Sequence, residues 1–243
     1  MKKICTYLAL VLISTQVFAQ NDKIGSFLKK AGVMKNNPGT SSLSGDEIAS
    51  GLKEALSQGA QKSADRLSAA DGFFKDAAIK ILLPPEVLKV ENKLRMLGMG
   101  KLVDNAILSM NRAAEDASKS AAPIFLNAIK RMTVQDALGI LRGKDTSATA
   151  YLRKSTSDPL TTAFMPVVKA SLDKVNATRY WKDVFTAYNR FTLIPVNTDI
   201  NSYVTQKALN GIFYYVAQEE KNIRANPAAR ATDLLKKVFG SKT

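Results

Sequence analysis

A chain of 243 residues is long enough for one large domain or two small lobes. It holds no histidine and a single cysteine, Cys5. That removes Ser-His-Asp and Cys-His catalysis and the usual zinc ligand sets, and it leaves any metal to oxygen ligands. Its 35 Lys and Arg against 21 Asp and Glu favour anionic partners.

Residues 1–19 read as a secretory signal peptide. Lys2 and Lys3 give a positive start, Ile4 to Val17 is largely apolar, and Val17-Phe18-Ala19 places small residues where a signal peptidase reads them. The expectation is export to the periplasm with cleavage after Ala19. Cys5 lies too early in the apolar run to be a lipid-attachment site, and it leaves with the leader. The mature chain then has neither thiol nor disulfide and a net charge of +12, of which residues 142–243 hold +8. No basic run exceeds a doublet such as Lys236-Lys237, whereas a polybasic anchor clusters about 4–8 such residues. No later stretch is long and apolar enough to span a bilayer.

Residues 20–45 read as a flexible segment and linker, with Asn36-Asn37-Pro38-Gly39 at its centre. The helical domain is expected over 46–243, its body starting near Ser44 or Asp46. Apolar residues at three-to-four spacing predict a helix over 46–69 (Ile48, Leu52, Leu56, Ala60, Leu67). A short helix is expected over Phe73–Lys80. Another opens at Pro84-Pro85-Glu86 and is stopped by Gly98. Lys101–Lys119 and Pro123–Arg131 follow. Thr133 with Asp136 resembles a capping box for the next helix, which ends near Gly143. Helices are expected over 146–154, 159–175, from Asn176 through Tyr188, and from Asp199 to just before Asn226. The last is expected to open at Asn226-Pro227 and stop at Gly240. Ile79–Leu83 and Thr192–Val196 hint at one short two-stranded ribbon. The fold class is all-α, a single domain of about nine to eleven helices.

The string Ile223-Arg224-Ala225-Asn226-Pro227-Ala228-Ala229-Arg230-Ala231-Thr232-Asp233-Leu234-Leu235 resembles the C-terminal signature of a bacterial exported-protein family known as domain of unknown function 4197. Gly51-Leu52-Lys53-Glu54-Ala55-Leu56, Leu83-Pro84-Pro85-Glu86, Ser109-Met110-Asn111-Arg112-Ala113-Ala114-Glu115 and Thr133-Val134-Gln135-Asp136-Ala137 are similar to it too. The resemblance covers about residues 43–240. It implies an exported helical protein and carries no active site.

Motifs that suggest chemistry are incomplete. Gly98-Met99-Gly100-Lys101 has Arg95 where a phosphate loop needs glycine, and Leu102 where it needs Ser or Thr. Ser-x-x-Lys occurs at Ser26/Lys29, Ser50/Lys53 and Ser171/Lys174 without a companion Lys-Thr-Gly. Asn111, Arg112, Glu115 and Asp116 share one helix. They read as a solvated face of ion pairs opposite the apolar stripe, or as a polar cluster in a groove.

Two classes of function remain open. The first is a non-enzymatic module whose basic face, drawn from Arg179, Lys182, Arg190, Arg224 and Arg230, binds an anionic envelope component or a partner protein. The second is a hydrolase or lyase built on carboxylates, Lys or Tyr, with Asp71, Glu115, Asp116 and Asp136 as the pool; two carboxylates about 5 to 10 Å apart in one cleft would mark it. A purely structural, self-associating protein is a third reading. No cofactor, metal or nucleic acid is expected.

Overall fold

Ser44 starts the fold with a reciprocal cap. Its hydroxyl accepts the Glu47 N–H at 3.2 Å and the Glu47 carboxylate accepts the Ser44 N–H at 2.8 Å. The computed structural model describes residues 44–189, 195, 199–226, 229–230 and 232–240. The expected leader, the expected linker through residue 43, Arg190 and nearly all of Thr192–Val196 lie outside the described residues.

Nine α-helices are described: α1 Gly45–Ser68, α2 Leu88–Met96, α3 Gly100–Ser118, α4 Ala121–Arg131, α5 Val134–Leu141, α6 Ser147–Asp173, α7 Ala177–Asn189, α8 Ile200–Ala225 and α9 Asp233–Gly240. A 3-10 turn, Pro85–Val87, leads into α2. α1 packs on α3, α4, α5, α8 and α9, and α6 packs on α3, α4 and α8. The shared core holds Leu52, Leu67, Phe73, Met110, Phe125, Leu160, Phe164 and Phe213. Phe125 meets Phe213 edge to face at 5.7 Å. The all-helical expectation holds among the described residues, and none of their helices is long and apolar enough to cross a membrane.

Several boundaries differ from the sequence reading. The two helices expected at 146–154 and 159–175 are one, α6, which runs through Pro159 and Pro166. Both prolines sit on its exposed side. Its inner face repeats Leu152, Thr156, Leu160, Phe164, Val168 and Leu172. Burial of that face offsets the helix penalty of roughly 3 kcal/mol per proline. Asn226 closes α8, its N–H donating to the Asn222 carbonyl, and its own carbonyl accepts the Ala229 N–H at 3.0 Å in a 3-10 turn. α9, expected to open at Asn226, begins at Asp233 instead. Phe213 and Tyr215 are buried while Tyr214 is exposed, which separates the three consecutive aromatics between core and surface.

The expected Phe73–Lys80 helix is a series of turns, and Ile79–Leu83 is turn and irregular chain without strand assignment. The proposed ribbon is therefore corrected on its first half. The reason lies in α3. The Asn111 amide accepts the Ile81 N–H at 2.9 Å and donates to the Ile81 carbonyl at 2.8 Å. A side chain thus supplies what a neighbouring strand would have supplied. The close approach of α8 to this segment requires Gly211, whose position leaves no room for a methyl group beside the Phe73 ring.

Candidate functional site

The cluster Asn111, Arg112, Glu115 is not a solvated face. Asn111 is fully buried and Glu115 nearly so. They stand one turn apart on the inner side of α3, and both serve the non-helical segment 69–84. One Glu115 oxygen accepts the N–H groups of Phe73 and Phe74 at 3.1 and 3.2 Å. The other accepts from the Arg112 guanidinium at 2.6 Å, and Arg112 also reaches Asp71 at 2.7 Å. Asp71 turns the chain with φ +68, a conformation tolerated by a short polar residue. Lys75 and then Arg112 hold its carboxyl below the usual range.

α8 pins the same segment from the other side. The Tyr203 hydroxyl donates to the Leu82 carbonyl at 2.9 Å, and the Tyr215 hydroxyl donates to Asp76. Burial, and then Asp76, push the Tyr215 hydroxyl up to about 12. Burial also pushes the Asp76 carboxyl up. Hydrogen bonds from Tyr215, the Ala78 N–H and Arg66 outweigh it, and the group lies below its usual range. Glu115 therefore meets one arginine and two backbone donors, and Asp71 meets the same arginine and Lys75, an arrangement that fixes a loop.

A second buried pair joins three helices. α6 begins at Ser147 with no side-chain cap of its own. Glu220 of α8 supplies it, accepting the N–H groups of Ala148 and Thr149 at 2.9 and 2.8 Å and the Thr149 hydroxyl at 2.8 Å. A carboxylate at this helix end meets unsatisfied donors and the positive end of the helix dipole. Arg224 pairs with Glu220 at 3.0 Å and donates to the carbonyls of Ile140 and Leu141, the last residues of α5, at 2.8 and 3.3 Å. Arg230 in turn donates to the Ile223 and Arg224 carbonyls at the end of α8. The donors of Arg224 are divided between Glu220 and the end of α5, and those of Arg230 go to the end of α8. Of the expected basic face, Arg190 lies outside the described residues. Of its four described members, Arg179 and Lys182 are exposed on α7 while Arg224 and Arg230 are half-buried at helix ends.

Asp116 parts company with its helical neighbours. It faces an open groove of about 420 Å³ between α3 and α6, lined by Lys119, Pro166, Val167, Ala170, Ser171 and Lys174. This brings it to the one Ser-x-x-Lys pair on α6. The Ser171 hydroxyl donates to Asp116 at 3.0 Å and Lys119 pairs with it at 2.9 Å. Lys119 first, then Ser171 and Lys174, hold the Asp116 carboxyl low against its burial. A carboxylate held low is a poor base for a serine hydroxyl. Asp136 is confined to its cap at Thr133, whose N–H it accepts at 3.0 Å. Among the described residues no group of three Asp or Glu converges into a metal cage. A further groove, between α6 and α8, is lined by hydroxyl and amide side chains with Arg153 stacked 4.3 Å from the Phe213 ring.

Sequence periodicity alone did not single out Glu220 or the inward aim of Asn111. The signal was present in α3: Met110, Ala113, Ala114 and Ala117 are all buried with Asn111 and Glu115, an arc too broad for one apolar stripe. The comparisons with known proteins place residues 42–240 in the family described as "Protein of unknown function (DUF4197)". No curated protein and no solved structure matches the chain.

Proposed function

Since the chain belongs to the DUF4197 family of proteins of unknown function, whose description carries no activity, we propose from its own residues that it is a non-enzymatic binding module of the bacterial envelope, offering a basic surface to an anionic component. What supports this reading is the division of charge between inside and outside. The buried ionic groups Glu115, Glu220 and Arg224 are committed to holding helices and the 69–84 segment together. The chain carries a net charge of +14, and among the described residues Lys89, Lys93, Lys101, Arg179 and Lys182 are exposed. A positive exterior over an inert interior favours association through the field and not chemistry.

The reading is tested by binding of the purified protein to acidic phospholipid vesicles, lipopolysaccharide and an acidic glycan, each at low and at high salt. Saturable binding to at least one of them, weakened by salt, is the expected result. The double variant Arg179→Glu/Lys182→Glu is expected to weaken that binding. Failure to bind any of the three anions overturns the reading.

A further inference from the structure

The helical hairpin of α2 and α3 carries an apolar tip. α2 buries none of its residues and packs mainly against α3. Around the turn between them, Met96 is 79% exposed, Leu97 75%, Leu102 53% and Met99 45%. Large apolar side chains scattered singly need no explanation, but a contiguous group does. The turn is built firmly. Gly98 takes φ +78, the Met99 N–H donates to the Leu94 carbonyl at 2.9 Å and the Gly98 N–H to that of Arg95 at 3.1 Å. Arg95 then ties the helices together by holding Glu91 at 2.9 Å and Asp104 at 2.8 Å.

The charge around the tip is sorted. Glu91 and Asp104 are taken up by Arg95, and Glu86 lies at the root of the hairpin within electrostatic reach of Tyr203. Lys89, Lys93 and Lys101 are exposed and enter no ion pair among the described residues. Lys93 stands one turn behind Leu97, Lys89 one turn behind that, and Lys101 directly precedes Leu102. Exposed lysines next to apolar side chains suit a bilayer interface, where the long stem can lie among apolar groups while the ammonium stays at the level of the phosphates.

We propose that this hairpin tip docks on an anionic phospholipid bilayer, Met96, Leu97, Met99 and Leu102 entering the headgroup and acyl boundary while Lys89, Lys93 and Lys101 meet lipid phosphates. The inference rests on the anionic-surface reading above and names its partner. A convex tip of flexible Met and Leu side chains fits a soft surface of no fixed shape.

The test is flotation of the purified protein with vesicles of phosphatidylglycerol and phosphatidylethanolamine, against vesicles of phosphatidylcholine alone. The protein is expected to float with the anionic vesicles, and less so as salt rises. Met96→Ser/Leu97→Ser and Lys93→Glu/Lys101→Glu are each expected to lower the partition coefficient at least about 10-fold. The same charge change placed elsewhere, Lys221→Glu/Lys237→Glu, is expected to lower it less than about 3-fold. Leu97→Cys labelled with a polarity-sensitive dye is expected to shift its emission to the blue on anionic vesicles, a readout independent of affinity. The altered side chains are exposed, so circular dichroism should show unchanged folding. Vesicle binding that ignores the tip variants, or a dye that does not shift, overturns the proposal and leaves the anionic reading standing. Binding to lipopolysaccharide or glycan but not to these vesicles does the same, as does a saturable protein partner seated on the tip. Binding to no anion at all overturns both.

Discussion

Glu220→Ala is expected to lower the stability of the fold by about 3–5 kcal/mol, read as a fall in the urea midpoint with an unchanged slope. The loss has three parts. The N–H groups of Ala148 and Thr149 lose their acceptor at the first turn of α6, where the helix has no cap of its own. The Thr149 hydroxyl loses the same partner. Arg224, whose side chain is largely buried, keeps its charge and its bonds to α5 but loses its counter-ion. An orphaned buried charge accounts for most of the penalty. Against a total stability of order 5–15 kcal/mol, this one substitution would bring the protein close to unfolding. Glu220→Gln, which keeps an acceptor oxygen but not the charge, should cost less, about 1–3 kcal/mol. The double variant Glu220→Ala/Arg224→Ala should lose less than the two single losses combined, since removing both partners removes the stranded charge. Strict additivity in that cycle would refute the coupling of α5, α6 and α8 through this pair.

Asn111→Asp should be nearly as costly, about 3–5 kcal/mol at neutral pH. The new side chain keeps an oxygen for the Ile81 N–H but sets its other oxygen against the carbonyls of Ile81 and Ile107, each 2.8 Å from the present amide nitrogen. A buried carboxylate facing two carbonyl oxygens has its pKa raised, because only the protonated form donates. The sign follows from linkage. A raised folded-state pKa gives stability that is present below the unfolded value of about 3.9 and is lost as pH rises through the folded value. The deficit of this variant should therefore shrink as pH falls toward 4. The native carboxylates behave oppositely: Asp76 and Asp116 are held low in the fold, so their contribution is present above the unfolded value and is lost as pH falls through the folded one. Chemical denaturation of the variant and the parent protein across pH 4–8 separates the two trends, and a deficit that grows in acid would refute the assigned geometry.

Much of the architecture was legible because helix ends are local. Ser44 with Glu47, Thr133 with Asp136 and Asp199 with Ser202 each close a cap within three residues, and apolar spacing fixes the inner faces between them. What was not legible depends on partners distant in sequence. Asn111 meets a segment 30 residues away, Glu115 one 42 away and Glu220 one 72 away. Nothing in a helical repeat tells a polar residue that serves a loop from one that serves water. Local signals also misled. Asn226-Pro227 has the chemistry of a helix start, yet Asn226 terminates α8, and Pro159 inside α6 reads as a boundary until burial of the inner face is weighed. For the candidate sites the same limit applies: the groove that unites Asp116 with Ser171 spans 55 residues of sequence.

The 69–84 segment behaves unlike an ordinary connection. Sixteen residues without helix would normally be the first place for a protease to cut and for amide protons to exchange with solvent. Here the amides of Phe73, Phe74 and Ile81 are closed by Glu115 and Asn111, side chains rooted in the core. Their exchange should be as slow as that of α3 itself, and it should accelerate in step with the loosening of that helix. This irregular stretch opens only when the bundle does, and thermolysin should leave it intact until the whole domain gives way.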